Sequence, residues 1–322
     1  MLQQTRVEAV VERYLGFLQA FPDLESLAAA PEEQVIAAWS GLGYYRRARA
    51  LRAGAALVMA RHGGQFPRDP RAARELPGVG PYTAAAVLSI AYGLPLAVVD
   101  GNVARVLARL YALEPPGDRS PSVLGDLAQR LLDPESPGDH NQAMMELGAR
   151  VCTPRNPSCE ACPVAGYCRA RQTGRAAAYP RARPAVKPSR LDVRVLLLRD
   201  PRGLLLLQRN RWRLLRNLWI PPVADVPVLD VPVVDATAAE TILGPTPLVP
   251  RHRGARGLRR LGAFSHTITT HRIHAEVYGG TLTGKPAESP DTRLASSEDL
   301  TGIGRSSFLQ KALRLEAASR EG

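Results

Sequence analysis

Hydrophobic and polar positions divide the chain into a first part with helical periodicity and a second part whose apolar runs have the length of strands. The first part predicts helices over 1–20, 31–39, 82–92, 102–111, 120–133 and 139–151, and a long helix that is led by the stretch 41–49 and runs to about 61. The second part predicts strands over 192–199, 203–209 and 272–278, and helices over 236–243 and 307–318.

The stretch between the two parts, residues 171–190, is rich in Pro, Ala and Arg and has no core-forming pattern. Such a composition is typical of a linker. The chain is therefore predicted to contain a helical domain over 1–170 and an α+β domain over 191–322.

The first predicted helix has one apolar face and an unusual beginning. The residues that can share this face are Leu2, Val7, Val10, Val11, Tyr14, Leu15 and Leu18. No capping residue and no approach segment precedes them, so the chain opens in the middle of a helical pattern.

A proline- and glycine-rich turn at positions 76–80 separates two predicted helices, which cover about 71–92 together with the turn. Gly78 and Gly80 favour a tight turn that a helix interior would not tolerate. Backbone N–H groups at the start of the second helix can bind an anion, and a DNA phosphate would fit there. An ordinary turn is the alternative, because Gly-x-Gly alone is a weak signal.

Asp100 stands directly before the predicted helix 102–111. The positive end of the helix dipole favours a carboxylate at this place. A plain N-cap is the alternative function, since Asp is common there. Asp100 becomes a catalytic candidate only in combination with the cysteines that follow.

All four cysteines of the chain lie within 17 residues, and they are Cys152, Cys159, Cys162 and Cys168. Their spacing, Cys-x6-Cys-x2-Cys-x5-Cys, predicts one soft metal centre held by four thiolates. Structural zinc is the main alternative, but zinc sites more often pair two short Cys-x2-Cys units. The single short gap favours a [4Fe–4S] cluster, and disulfides are disfavoured for a protein expected to be cytoplasmic.

The charge of the chain points to a polyanionic partner. Residues 1–190 carry 23 Lys and Arg against 17 Asp and Glu, and residues 191–322 carry 19 against 13, so each part has a net charge of +6. Tyr44 and Tyr45 beside four arginines at 46, 47, 49 and 52 suit a nucleic-acid surface that stacks bases. A solvated helix face and a genome-wide preference for Arg are the alternatives.

The sequence contains no segment long and apolar enough for a transmembrane helix and no signal peptide pattern. We therefore expect a soluble, cytoplasmic protein without a membrane partner.

Several motifs of the whole chain resemble the adenine DNA glycosylases of the MutY family, within the endonuclease III superfamily. They are residues 1–5 (Met-Leu-Gln-Gln-Thr), 41–46 (Gly-Leu-Gly-Tyr-Tyr-Arg), 99–103 (Val-Asp-Gly-Asn-Val), the turn, the cysteine loop, 218–221 (Leu-Trp-Ile-Pro) and 264–266 (Phe-Ser-His). The resemblance implies an all-α helix-hairpin-helix glycosylase domain with an iron–sulfur loop over 152–168, followed by an α+β Nudix-like lesion-recognition domain. The glutamate-rich Nudix catalytic box is absent, so this domain is expected to recognise a base.

The resemblance also implies the reaction. A monomeric, monofunctional enzyme would remove adenine mispaired with 8-oxoguanine or guanine in double-stranded DNA, as part of base excision repair, after the adenine is flipped out of the stack. Asp100 would stabilise the oxocarbenium-like sugar. Asn102 would support Asp100, and Tyr82 would contact the sugar beside it.

The same resemblance assigns DNA contacts. Gln4 would fill the gap beside the orphaned base, and Tyr44 would stack there. Glu146 would contact adenine, and Gly78 and Gly80 would hold a phosphate. The residues matching the loop that senses 8-oxoguanine are Phe264, Ser265 and His266.

One departure concerns the proton donor, which in the family is a Glu two residues before the Met-Leu-Gln-Gln-Thr motif. That motif begins here at Met1, so we expect the real reading frame to start upstream and to supply this Glu. One alternative is a catalytically impaired lesion-binding protein. Another is an endonuclease III-type glycosylase/lyase, which needs a lysine nucleophile, whereas residues 1–186 contain no lysine. A ferredoxin-type electron carrier would explain the cysteines alone.

Overall fold

A computed structural model describes residues 1–3, 5, 7–114, 120–180, 188–210, 215–223, 255–268, 270–284, 286, 289–303 and 306–321. The chain forms two compact units. One contains Met1–Ala56 together with Val186–Gly322, and the other contains Leu57–Ala185. The predicted domain limits, including those of the linker, stay a prediction, and the two units are described separately below.

The unit formed by residues 57–185 is helical. Its helices are the last turns of α4 (Arg46–His62), from residue 57 on, α5 (Pro70–Glu75), α6 (Pro81–Tyr92), α7 (Gly101–Leu110), α8 (Pro121–Leu131), α9 (Pro137–Glu146) and α10 (Arg169–Gln172). A π-helical turn, Leu147–Val151, continues α9, and short 3-10 turns follow at Cys159–Ala161, Ala165–Tyr167 and Ala176–Ala178.

Polar side chains at the first residue explain where several of these helices begin. Asp69, Asp100 and Ser120 each accept a hydrogen bond from a backbone N–H three residues later, which satisfies one of the unpaired donors of a helix N-terminus. α7 is the most buried helix, with Val103 and Leu107 almost completely covered. It therefore provides a rigid base for Asp100.

The N-terminal helices of the other unit are α1 (Val7–Ala20), α2 (Leu24–Ala29) and α3 (Glu32–Ala38). The buried residues of α1 are Val10 and Phe17, and Phe17 packs against Phe21 and Trp39. The residues of the predicted apolar face other than Val10 are exposed, namely Leu2, Val7, Val11, Tyr14, Leu15 and Leu18. Tertiary packing, rather than the largest apolar stripe, thus selects the face that α1 buries within this unit.

The C-terminal part of the same unit is a mixed sheet with two further helices. Its strands are β1 (Ser189–Arg199), β2 (Leu205–Arg209), β3 (Trp219–Ile220), β4 (Ala255–Ile268), β5 (His271–Leu282) and β6 (Thr292–Ala295), and its helices are α11 (Asp299–Gly302) and α12 (Ser307–Glu321). The strand order is β3-β2-β1-β5-β4, with β6 paired to β2. β1 and β5 are parallel, and the other pairs are antiparallel.

The core of this sheet lies under α12. Phe308, Leu309 and Ala312 of α12 are fully buried in the same cluster as Ala275 and Val277 of β5. The predicted α+β class is therefore confirmed, although β4 was missed because its arginine-rich sequence lacks an apolar alternation. The predicted helix 236–243 lies outside the described residues.

The described helices include none with the length and apolarity needed to cross a membrane.

Candidate functional site

Asp100 is the N-cap of α7 and is half-buried. Its Oδ1 accepts a hydrogen bond from the backbone N–H of Val103 at 2.7 Å, and its Oδ2 accepts one from Asn102 Nδ2 at 3.2 Å. Asp100 thus caps α7 with one carboxylate oxygen and binds the side chain of Asn102 with the other. The two bonds fix the orientation of the carboxylate at the positive end of the helix.

A chain of hydrogen bonds leads from Asp100 to the cysteine loop. Asn102 Oδ1 accepts a bond from Arg105 Nη2 at 2.9 Å, and Arg105 Nε donates to the carbonyl oxygen of Cys152 at 2.8 Å. Arg105 Nη2 also donates to the carbonyl oxygen of Gly148 at 2.6 Å. The position of the carboxylate is thus connected to the backbone of the first cysteine.

Gly148 allows the turn after α9 to approach α7 closely. A Cβ at this position would lie 2.6 Å from Asn102 Cβ and 3.0 Å from the Asn102 carbonyl oxygen. Such distances are not tolerated between real side chains, so only glycine fits here. The π-helical turn that contains Gly148 is also typical of functional sites in helical proteins.

Tyr82 lies near Asp100 on α6. Its hydroxyl contacts Met145 Sδ at 3.3 Å, and burial, followed by the negative charge of Asp100, raises the pKa of the phenol. Tyr82 consequently stays protonated and can donate a hydrogen bond. Glu146, which was expected to contact adenine, forms an exposed ion pair with Arg150 at 2.8 Å.

The turn before α6 has the conformation that its glycines predict. Gly78 has a φ of 78°, which favours glycine. Gly80 is the N-cap of α6 and makes no side-chain cap, and Pro81 follows at the first helical position. The predicted helix, hairpin and helix are therefore present as α5, the turn and α6.

The four cysteines form no disulfide. Burial raises the pKa of the Cys162 thiol, and the charges of Cys152, Cys168 and Cys159 raise it further, so the four sulfurs share one neighbourhood. Within the described ranges, no three His, Cys, Asp or Glu side chains form a site for a metal ion. Four thiolates within 17 residues fit an iron–sulfur cluster, in which each sulfur binds a different iron.

Arg109 organises this cysteine loop from α7 and is almost completely buried. Its guanidinium donates to the carbonyl oxygens of Cys152, Thr153 and Pro154, and to Cys152 Sγ at 3.2 Å. Its Nε donates to the carbonyl oxygen of Tyr179 at 2.8 Å. Five donors in a fixed geometry make arginine suitable for holding several oxygens of one loop.

The unit formed by residues 1–56 and 186–322 carries the other predicted DNA contacts. Tyr44 is 45% exposed and has a positive φ of 47°. Its ring is therefore accessible in the loop before α4. Gln4 lies outside the described residues.

Phe264, Ser265 and His266, which match the lesion-sensing loop of the family, lie within β4. The rings of Phe264 and His266 pack against Phe308 of α12, with centroids 5.2 and 5.8 Å apart. Ser265 alternates with them and is exposed. Burial, and then the charge of Lys311, lowers the pKa of His266.

Sequence reasoning missed Arg105, Arg109 and Gly148. The two arginines lie four residues apart, so they share one face of α7. The sequence did contain a signal for them, because both arginines lie on the apolar face of the helix that begins at Asp100. Gly148 gave no local signal, because its function depends on the approach of another helix.

Two family models match the chain. The one described as HhH-GPD superfamily base excision DNA repair protein matches residues 1–123, and the one described as iron-sulfur binding domain of endonuclease III matches residues 152–168. Together with the hairpin, Asp100 and the cysteine loop, these matches define a DNA glycosylase of the helix-hairpin-helix class.

Similar proteins of known function indicate which family within this class the chain belongs to. Adenine DNA glycosylase of Homo sapiens is 35% identical over 373 residues, which cover 100% of this chain and 67% of the human one. The Rattus norvegicus enzyme is 35% identical over 374 residues, covering 100% and 71%. The chain belongs to the adenine DNA glycosylase family. The solved structure of a thermostable thymine-DNA glycosylase is also similar, at 30% identity and a TM-score of 0.49, over 53% of this chain and 80% of that one.

The family confirms the predicted fold class, a helix-hairpin-helix glycosylase domain followed by a Nudix-like domain. It also confirms an enzyme that hydrolyses N-glycosyl bonds in DNA, and the [4Fe–4S] cluster rather than zinc. Cys152, Cys159, Cys162 and Cys168 are the residues that would hold this cluster, which the matched iron–sulfur segment spans. DNA is therefore a partner of this protein.

Proposed function

We propose that this glycosylase acts as a cytoplasmic monomer on adenine mispaired with 8-oxoguanine or guanine in duplex DNA. The geometry of Asp100 is the observation that carries the proposal. A carboxylate that is oriented by Val103 N–H and Asn102 at a helix N-terminus can stabilise the positive charge that develops on the sugar. The adenine must leave the helix stack before its glycosidic bond reaches this group.

The neighbours of Asp100 have supporting roles. Asn102 holds the carboxylate and is itself held by Arg105, so the group needs no reorganisation during the reaction. Tyr82, protonated beside Asp100, contacts the sugar of the extruded nucleotide. Glu146 contacts adenine after release from its exposed pair with Arg150.

The remaining predicted residues bind the rest of the DNA. Gly78 and Gly80 present the backbone of the hairpin to a phosphate. Tyr44 stacks beside the orphaned base and Gln4 fills the gap next to it. In the C-terminal domain, Ser265 is the accessible member of the lesion-sensing triplet, while Phe264 and His266 support it from the face packed on α12.

Asp100→Asn tests this proposal in the full chain. We expect adenine release from an adenine:8-oxoguanine duplex to fall at least about a hundredfold, because the neutral amide cannot stabilise the sugar cation. Binding of the same duplex should change by less than about threefold, since the N-cap geometry is kept. The measurement is strand breakage after hot alkali, with duplex binding followed in parallel.

The matched control is Asp23→Asn, which changes the N-cap of α2 in the other unit and should leave the rate unchanged. An undiminished rate for Asp100→Asn would refute the assigned role. Because residues 1–186 contain no lysine, the strand should stay intact until alkali is added. Nicking without alkali would contradict a monofunctional enzyme.

A further inference from the structure

Arg47, the second residue of α4, forms hydrogen bonds with the N-terminal segment. Its Nη1 donates to the carbonyl oxygen of Met1 at 2.8 Å and to that of Gln3, and its Nη2 donates to Thr5 Oγ1 at 2.7 Å. These bonds hold backbone and side-chain oxygens on both sides of position 4. One guanidinium therefore binds Met1, Gln3 and Thr5 of the N-terminal segment.

The same guanidinium also fastens the loop before α4. Its Nη2 donates to the carbonyl oxygens of Leu42 at 3.1 Å and Gly43 at 3.4 Å. It lies 5.3 Å from the ring centroid of Trp39 and 5.6 Å from that of Tyr44, as cation–π contacts. Arg47 thus contacts the N-terminal segment and also the loop that carries Tyr44, and both belong to one compact unit.

Tyr44 needs such support because of its backbone. A φ of 47° is uncommon for a residue with a side chain, and it persists only where the surroundings hold it. The backbone N–H of Arg47 donates to the carbonyl oxygen of Tyr44 at 2.8 Å, while the guanidinium covers the ring. The side chain of Tyr44 is nevertheless 45% exposed, so it is held in place and still accessible.

Arginine is the suitable residue for this task. A planar fork of donors can bind oxygens of two segments at once and stack on aromatic rings, whereas an ammonium group is a single point of charge. Burial lowers the pKa of Arg47. The guanidinium still stays charged, as arginine does in proteins, and this charge is partly removed from water. Its neighbour Arg46 is exposed and provides a natural comparison.

Resting on the proposed role of Tyr44, we propose that Arg47 is a positioning residue for mispair recognition. It binds Met1, Gln3 and Thr5 as well as the loop before α4, so that the ring of Tyr44 meets the orphaned base in one fixed arrangement. Pre-ordering this ring avoids the entropic cost of ordering it on the DNA. Discrimination between mispaired and ordinary duplex, rather than general DNA affinity, is the property that depends on Arg47.

The test compares Arg47→Gln, Arg47→Lys and the control Arg46→Gln in the full chain. Binding is measured to a duplex with a non-cleavable adenine analogue opposite 8-oxoguanine, and to an undamaged duplex. Arg47→Gln should reduce the ratio of the two affinities by about tenfold or more, because a small misplacement of contacting groups is costly. Arg47→Lys should lose a similar factor, since the charge remains but the fork does not. If Arg47→Gln does not fold, the Arg47→Lys variant alone decides the test.

Arg46→Gln should lower both affinities equally and reduce the salt dependence by about one phosphate contact. A double-mutant cycle with Tyr44→Ala then separates positioning from general stability. If Arg47 acts by placing Tyr44, Arg47→Gln should add less than about threefold to the loss in the Tyr44→Ala protein, whereas a general structural effect would be additive.

The outcomes separate this inference from the proposed function. An unchanged affinity ratio in Arg47→Gln, or full additivity with Tyr44→Ala, would overturn the positioning role. Loss of discrimination in Arg47→Gln together with none in Tyr44→Ala and Gln4→Ala would refute the proposed contacts of these two residues with the orphaned base, and with them the positioning role of Arg47. A lower affinity ratio in Tyr44→Ala with an unchanged ratio in Arg47→Gln would support the stacking role of Tyr44 and reject the positioning role of Arg47.

Discussion

Gly148 shows how the absence of one side chain shapes the catalytic candidate site. The turn after α9 lies against Asn102, and the carbonyl oxygen of Gly148 accepts a bond from Arg105. Asn102 in turn holds Asp100. A residue with no functional group therefore determines where the carboxylate is placed.

Gly148→Ala should disturb this arrangement. The added methyl would lie 2.6 Å from Asn102 Cβ, and relieving the overlap should cost about 1–3 kcal/mol of the free energy of unfolding. Adenine release should fall as well, because Asn102 and Asp100 move together. Denaturant unfolding and the release rate are the measurements.

Gly125→Ala is the matched control, since Gly125 lies within α8 and a Cβ there meets nothing within 4 Å. It should stabilise the protein by about 0.4–1 kcal/mol. Equal effects of the two substitutions would contradict the close approach at Gly148.

At the scale of elements, an ion pair connects the last helix to the sheet. Arg199 at the end of β1 donates from Nε and Nη2 to the two carboxylate oxygens of Glu316 on α12, both at 2.7 Å. Burial alone would raise the pKa of Glu316, but the bonds and charge of Arg199, with those of Arg320, bring it below its usual value. The bidentate geometry makes this pair stronger than an ordinary surface pair.

Glu316→Gln should therefore have an effect that depends on pH. A carboxylate whose pKa is lowered in the folded state stabilises it above the unfolded value of 4.5 and loses this contribution as the pH falls. We expect a loss of about 1–3 kcal/mol at neutral pH, which shrinks as the pH falls below that value. Urea unfolding across this range measures it.

Glu160→Gln serves as the control for the ion pair, because Glu160 is 91% exposed and its pair with Arg171 is 3.4 Å long. Such a pair contributes less than about 1 kcal/mol, so the substitution should change little. A difference between wild type and Glu316→Gln that is constant with pH would contradict the ionic origin.

At the scale of the whole molecule, one compact unit combines the N-terminal helices with the C-terminal sheet. Glu33 of α3 accepts bonds from Trp219 Nε1 at 3.1 Å and from Arg209 at 2.6 Å. Arg209 and Arg293 lie on the ring of Trp219, with distances of 5.0 and 5.1 Å to its centroid. Chain segments far apart in sequence thus stabilise each other.

Glu33→Ala should weaken this unit. It leaves the indole N–H of Trp219, which is 7% exposed, without its partner, at a cost of about 1–3 kcal/mol. Unfolding followed by tryptophan fluorescence measures the change. The exposed control Glu12→Ala should stay within about 0.5 kcal/mol of wild type, and equal midpoints for the two variants would reject the coupling.

Much of the helical part was predictable because its signals are local. The hairpin follows from the glycines at 78 and 80, and α7 begins at the aspartate that its cap requires. β4 could not be predicted in this way, since its arginines and glycines have no alternation and pairing with β5 decides its structure. The same pairing, with α12, turns Phe264 and His266 toward a core.

The sequence by itself determined the family, the cysteine cluster, the hairpin and the carboxylate at the start of α7, because each depends on residue types at short, fixed spacing. Only the tertiary structure decided that Arg105 and Gly148 connect Asp100 to the cysteine loop, and that Arg47 joins two segments about 40 residues apart. Such contacts arise when distant segments pack, and no local pattern encodes which partners will meet.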